Sequence, residues 1–192
     1  MKPLQQLLDN DLILSFQEGN QAALETLVNR HKEKIFTSIL FMVKDKYLAE
    51  DLFQDVFIKI IDTLRSNRYN EEGKFIQWAL RIAHNLCVDY FRKVKRGPII
   101  SSDDKDVFDM LNLTNESADT SMIQSQTRQK LHDMLSHLPE EQREVIVLRH
   151  FADMSFKEIA QITNTSINTS LGRMRYGLIN LRKMMVEYQI VL

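Results

Sequence analysis

Between Glu158 and Glu187 the chain has no acidic side chain, yet Arg173, Arg175, Arg182 and Lys183 all fall there. Guanidinium and ammonium groups unopposed by carboxylates attract phosphate. Just before and inside this window run Ser155-Phe-Lys-Glu-Ile-Ala-Gln-Ile162, Thr163-Asn-Thr-Ser166 and Ile167-Asn-Thr-Ser-Leu-Gly-Arg-Met-Arg175. The pattern predicts a short amphipathic helix, a polar turn, and a second helix that is basic and rich in small polar residues. That is a candidate helix-turn-helix, a device for the major groove of duplex DNA.

A second basic stripe lies upstream. Arg81, Asn85, Asp89, Arg92, Lys93 and Arg96 recur at spacings of three and four, so one helix would carry them on one side. The cations can follow phosphates, while Asn85 and Asp89 can reach base edges. The loop at 65–74 sets Tyr69 among Asn67, Arg68 and Asn70, with Lys74 behind. An exposed aromatic among cations could stack an unpaired base, worth on the order of 1–3 kcal/mol. Asp51, Asp55 and Asp62, beside Gln54 and Lys59, make an acidic face that would repel DNA and attract a basic protein surface. Each stripe taken alone also reads as a solvated helix face, and the loop as a polar turn. Catalytic signals are weak. His31, His84, His132, His137 and His150 show no zinc-protease spacing, Cys87 has no neighbouring cysteine, and no glycine-rich phosphate loop is present. Packing is the expected role of His84 and Cys87, and neither a cofactor nor a metal is expected.

The elements that must hold these stripes are helices. The 192 residues include only 5 Gly and 3 Pro, and apolar spacing near 3.6 dominates. An N-terminal block predicts helices over about 9–18, 20–43, 46–65 and 75–96. In the third, Leu48, Leu52, Val56, Ile60 and Leu64 recur at spacing four. The fourth is expected to bury Phe75, Trp78, Ala79, Ile82, Leu86 and Tyr90 and to stop at Gly97-Pro98. A C-terminal block predicts a helix at about 127–137 and another whose first turn holds Pro139, Glu140 and Glu141. Between the blocks, residues 98–126 are rich in Ser, Thr, Asp and Asn and read as a linker. Lys+Arg against Asp+Glu is 15 to 13 over 1–97, 1 to 6 over 98–126, and 9 to 7 over 127–192. The expected fold is thus all-α: two small helical domains, 1–97 and 127–192, joined by an acidic linker, the second containing the helix-turn-helix. No apolar run approaches the roughly 20 residues of a membrane helix. A lone cysteine and no signal-like N-terminus suit a reducing, cytoplasmic setting.

Together these segments resemble the bacterial sigma-70 family, specifically its small two-domain extracytoplasmic-function group, over about residues 9–186. Asp51-Leu-Phe-Gln-Asp-Val-Phe57 is similar to the motif that docks on the β′ clamp helices of core RNA polymerase. Phe75-Ile-Gln-Trp-Ala-Leu-Arg-Ile-Ala-His-Asn-Leu-Cys-Val-Asp-Tyr-Phe-Arg-Lys93 is similar to the stretch that melts and reads the −10 element. Leu138-Pro-Glu-Glu-Gln-Arg-Glu-Val-Ile-Val-Leu148 and Ser155-Phe-Lys-Glu-Ile-Ala160 resemble the −35-binding domain.

The resemblance implies that Asp51, Gln54 and Asp55 meet the polymerase. It implies that Arg81, Asn85, Asp89, Arg92, Lys93 and Arg96 hold the −10 region, while Asn67, Arg68 and Tyr69 capture a flipped base. Asn168, Thr169, Leu171, Gly172, Arg173 and Arg175 would lie at the −35 major groove. The linker would pass through the polymerase, whose β flap would be a contact besides the β′ clamp helices, and an anti-sigma factor would be the inhibitor, able to hold the protein at the inner membrane without any insertion of its own. One departure matters. Where the family usually has valine then lysine, this chain has Ser170 then Leu171. A hydroxyl then points inward, and an apolar side chain that could touch a thymine methyl replaces a polar contact. Gly172 follows, costing up to about 1 kcal/mol in a helix and permitting close approach to the DNA backbone. Two rivals remain at this level. A dimeric helix-turn-helix regulator explains 139–183 and leaves the faces at 51–62 and 81–96 idle. An adaptor that only docks proteins leaves the basic stripes idle.

Overall fold

A computed structural model describes residues 3–70, 73–96, 130 and 133–187, with only the backbone of 95 and 96. A 3-10 turn at Leu4–Gln6 leads into α1 (Asp9–Gln17), α2 (Gln21–Val43), α3 (Lys46–Arg65) and α4 (Phe75–Arg96). A helical turn at 133–136 precedes α5 (Glu140–His150), α6 (Phe156–Ile162) and α7 (Ile167–Glu187). The fold is all-α, as composition and spacing predict. The linker at 98–126, the Gly97-Pro98 stop and most of the 127–137 helix lie outside the described residues.

Side-chain caps set the starts of several helices. The Asn20 carboxamide oxygen accepts from Ala22 N–H at 3.1 Å, and the Asp45 carboxylate accepts from Leu48 N–H at 2.9 Å. Each satisfies a donor that the first turn leaves unpaired. At α6 the cap is reciprocal. Ser155 Oγ accepts from Glu158 N–H, and the Glu158 carboxylate accepts from Ser155 N–H. Pro139 stands one residue earlier than expected: it is the extended residue before α5, and its carbonyl accepts from Gln142 and Arg143 N–H. Glu140 and Glu141 occupy the first turn and Arg149 the last, each sign matched to the macrodipole.

The spacing-four stripe of α3 faces inward, with Leu52, Val56, Ile60 and Leu64 buried against Leu27, Ile35 and Ile39 of α2 and Leu12 and Phe16 of α1. Full burial of such side chains supplies about 1.5–3 kcal/mol each. On α4 the buried stripe is turned from the expected one. Phe75 and Ala79 are buried as predicted, but Leu80, Ala83, His84 and Cys87 complete the stripe, while Trp78, Ile82, Leu86 and Tyr90 are half-buried. The reason is a second covering body. The C-terminal block packs against the N-terminal one, so Val145, Leu148, Met154 and Ile159 share its core. Phe41 of α2 inserts among Leu135, Leu138, Ile146 and Val147, its ring 5.3 Å from that of Phe151.

Ion pairs cross the same seam. Lys34 meets Asp153 at 2.7 Å, Lys74 meets Glu158 at 3.3 Å, and His84 Nε2 meets Glu144 at 2.7 Å. Lys44 Nζ donates to the Ser136 carbonyl at 2.7 Å. His84 therefore does more than pack: it joins the two blocks. Burial pushes the Cys87 thiol up to about 12, which leaves it an inert, protonated core side chain.

Candidate nucleic-acid interface and docking face

The helix-turn-helix is built by hydroxyls. Thr163 Oγ1 and Thr165 Oγ1 lie 3.0 Å apart, and Thr165 Oγ1 is 3.2 Å from Ser170 Oγ. Ser170 is fully buried, so its inward hydroxyl finds its partner in the turn and ties α7 to α6. Asn164 takes the left-handed backbone of the turn, with φ 55°. Ser166 Oγ accepts from Thr169 N–H at 3.0 Å and opens α7.

Against α5, α7 is held by a close approach. A Cβ at Gly177 would stand 2.8 Å from Ile146 Cδ1 and 3.3 Å from Gln142 Cβ. Asn180 Nδ2 donates to Gln142 Oε1 at 2.8 Å beside that contact. Sequence reasoning missed Gly177, and only the partner on α5 reveals its role. Its opposite is Gly172, where a Cβ would meet nothing within 4 Å. So held, α7 presents Asn168, Thr169, Leu171 and Arg175 to solvent, with Gly172 and Arg173 half-buried beside them. The two halves of the motif thus come together as one outward face.

On α4, Arg81, Asn85, Asp89, Arg92 and Lys93 are all exposed on one side. Arg92 lies 3.4 Å from Asp89, an exposed pair of little energetic weight that a phosphate could displace. Arg96 is within the helix, but its side chain lies outside the described residues. The loop before α4 departs from expectation at Tyr69. Its ring is half-buried, 4.5 Å from Trp78 and 6.1 Å from Phe75, rather than exposed among the cations. An aromatic patch of this kind absorbs a side chain that loop composition alone marks as surface. Asn67 and Arg68 remain exposed, and Asn67 adopts φ 52°, a conformation asparagine tolerates better than most residues.

On α3, Asp51, Gln54, Asp55 and Asp62 are exposed on one face. The same face carries Tyr47, 78% exposed, and Ile58, 57% exposed. Neither was singled out from sequence. The available signal was that Ile58 falls off the spacing-four stripe of its helix. The face is therefore acidic, with two large apolar side chains exposed among the carboxylates. Among the described residues no three His, Cys, Asp or Glu side chains are grouped to hold a metal, and no helix is long and apolar enough to cross a membrane.

Comparison with known proteins gives the family to which these helices belong. The model of Sigma-70 region 2 matches residues 27–97, and that of Sigma-70, region 4, matches residues 128–170. Together they span more than half of the chain and contain α3, α4 and the helix-turn-helix as far as Ser170, while Leu171, Gly172, Arg173 and Arg175 lie beyond the match. The chain belongs to the sigma-70 family. It resembles the RNA polymerase sigma-H factor of Pseudomonas aeruginosa, 27% identical over 88% of this chain and 90% of that one. It is also 27% identical to the ECF RNA polymerase sigma factor SigW of Bacillus subtilis, over 89% of this chain and 93% of that one. Its fold is similar to that of the sigma factor RpoE of Bartonella quintana, solved in complex with the anti-sigma factor NepR, with a TM-score of 0.65 at 20% identity, covering 84% of this chain and 96% of that one. As a sigma-70 family member of the extracytoplasmic-function group, the protein is a promoter-directing initiation factor.

Proposed function

We propose that this sigma factor divides promoter recognition between its two blocks, taken as domains 1–97 and 127–192, with 98–126 as the connection. Asp51, Gln54 and Asp55 dock on core RNA polymerase, and Tyr47 and Ile58 supply apolar contact beside them. Arg81, Arg92, Lys93 and Arg96 hold the phosphates of the opened −10 region, Asn85 and Asp89 read its bases, and Asn67 and Arg68 border a flipped base. Tyr69, packed on Trp78, forms the wall of that site rather than a free stacking arm. Asn168, Thr169, Leu171, Arg173 and Arg175 meet the −35 duplex, with Gly172 admitting the DNA backbone. An anti-sigma factor is the inhibitory partner we assign.

The observation that supports this reading most is the segregation of charge. An acidic face on α3 and basic faces on α4 and α7 belong to one chain whose sequence carries a net charge of only −1. So neutral a chain binds DNA weakly on its own, and attachment to a larger machine supplies the effective concentration. The packed seam adds a requirement. Lys74, beside the −10 loop, lies 3.3 Å from Glu158 of the helix-turn-helix. Elements 25 base pairs apart are separated by roughly 85 Å of duplex at 3.4 Å per pair. The blocks must therefore part along the seam when both elements are engaged.

The test is run-off transcription with core polymerase, followed by start-site mapping. Added protein is expected to direct initiation to a defined promoter set. Replacing Asn85 and Asp89 with alanine should change −10 preference without altering helical circular dichroism. Unchanged selectivity in both variants would remove the assignment of base reading to α4.

A further inference from the structure

Ile167 and Leu171 form an apolar pair on the opening turns of α7. They are four residues apart, so they lie above one another on the same side of the helix. Ile167 is 46% exposed and Leu171 43% exposed. The buried side of α7 runs instead through Ser170 and Gly177, with Met174, Leu181 and Met184 packed beside it. Leu171 is flanked by Asn168 one turn before and Arg175 one turn after, both exposed. Next to it, Gly172 leaves open space. An amide, a guanidinium and a bare stretch of backbone thus frame two branched aliphatic side chains.

The surroundings identify what would cover this pair. The helix that bears it exposes Arg175, Arg182 and Lys183, and the sequence has no acid between Glu158 and Glu187, which is charge complementarity to a polyanion. In the major groove the C5 methyl of thymine is the apolar group on a base edge, and the other readable positions are hydrogen-bond donors and acceptors. The first residues of a recognition helix are those that reach base edges. Four residues of helix rise about 6 Å along a helix that lies in the groove, so the two side chains can reach neighbouring base pairs.

We propose that Ile167 and Leu171 read thymine methyl groups, and that the −35 element of this sigma factor therefore contains neighbouring T·A pairs recognised by apolar contact. The inference rests on the −35 role of α7 proposed above. It adds a base identity, a specificity residue at 167, and a mode of readout that needs no hydrogen bond from position 171.

The experiment uses holoenzyme assembled from the full chain and core polymerase, on a promoter found by start-site mapping. Each −35 thymidine is replaced in turn by deoxyuridine, which removes one methyl and no hydrogen-bonding group. Binding is expected to weaken about threefold to fivefold at one or two positions, the range for one buried methyl. At each such position the discrimination should be abolished by Leu171→Ala or by Ile167→Ala. Both side chains are exposed, so the variants are expected to keep the wild-type melting temperature, which thermal melts check. Equal binding of thymine and uracil duplexes by the wild-type holoenzyme would overturn the proposal. Undiminished discrimination in both alanine variants would do the same. Weakened binding of core polymerase by Leu171→Ala without DNA would assign the pair to a protein contact and also overturn it. A chain that initiates at no defined promoter would defeat the underlying function instead, an outcome distinct from selective initiation without methyl sensitivity.

Discussion

Gly172 and Gly177 lie on the same helix and have opposite surroundings. Alanine at 172 meets no atom within 4 Å, so it should stabilise α7 by up to about 1 kcal/mol through helix propensity. Alanine at 177 places its Cβ 2.8 Å from Ile146 Cδ1, and overpacking of this kind costs about 1–3 kcal/mol. Urea melts should therefore rank Gly172→Ala above wild type and Gly177→Ala at or below it. Gly172→Ala should also weaken −35 binding if the bare backbone approaches DNA. Sequence showed both as glycines within a helical pattern and could not separate them, because the atom that distinguishes Gly177 belongs to α5. Tyr69 carries the same lesson. Its neighbours in the chain are polar, and the Trp78 ring that half-buries it lies a loop and a turn of helix away. The family resemblance implied an inward hydroxyl at Ser170, whereas its partner Thr165 was not legible.

Among the elements, α3 and α4 were the most legible, since apolar spacing, the polar loop at 65–74 and the Gly97-Pro98 stop signal bounded them at about 46–65 and 75–96. The rotation of the buried stripe on α4 was not, because local periodicity reports that a face is covered and not how many bodies cover it. For α3, replacing Asp51 and Asp55 by lysine should abolish association with core polymerase while leaving the helical circular dichroism unchanged. Unaltered association would withdraw the docking role. For α1, the tether is Asp9, 2.6 Å from Arg30 and 2.7 Å from His31. Burial would raise its carboxyl pKa, but the hydrogen bond and charge of His31, then those of Arg30, outweigh burial and hold it below 3.8. A depressed carboxylate contributes stability above its unfolded pKa and loses it as pH falls through the folded one. Wild type should thus exceed Asp9→Asn in urea midpoint at neutral pH, and the gap should close below about pH 3.8.

At the scale of the molecule, the seam was invisible to sequence. Two blocks with their own helices predict two bodies, and nothing in periodicity pairs His84 with Glu144. That pair is nearly enclosed, whereas Lys34 and Asp153 meet in solvent. Losing Glu144 leaves a buried imidazole without its partner, a cost of about 1–3 kcal/mol. Losing Lys34 removes an exposed pair worth less than about 1 kcal/mol. Glu144→Ala should accordingly lower stability well beyond Lys34→Ala in parallel urea melts, and equal effects would deny His84–Glu144 its place as the main polar tie across the seam. The central claim is that two readers on one chain act together only when polymerase holds them at a set separation. The most direct measurement is run-off transcription from templates that differ only in the number of base pairs between the −35 and −10 elements. A sharp optimum, with output falling when two or three base pairs are added or removed, is the predicted result; output indifferent to spacer length would contradict it.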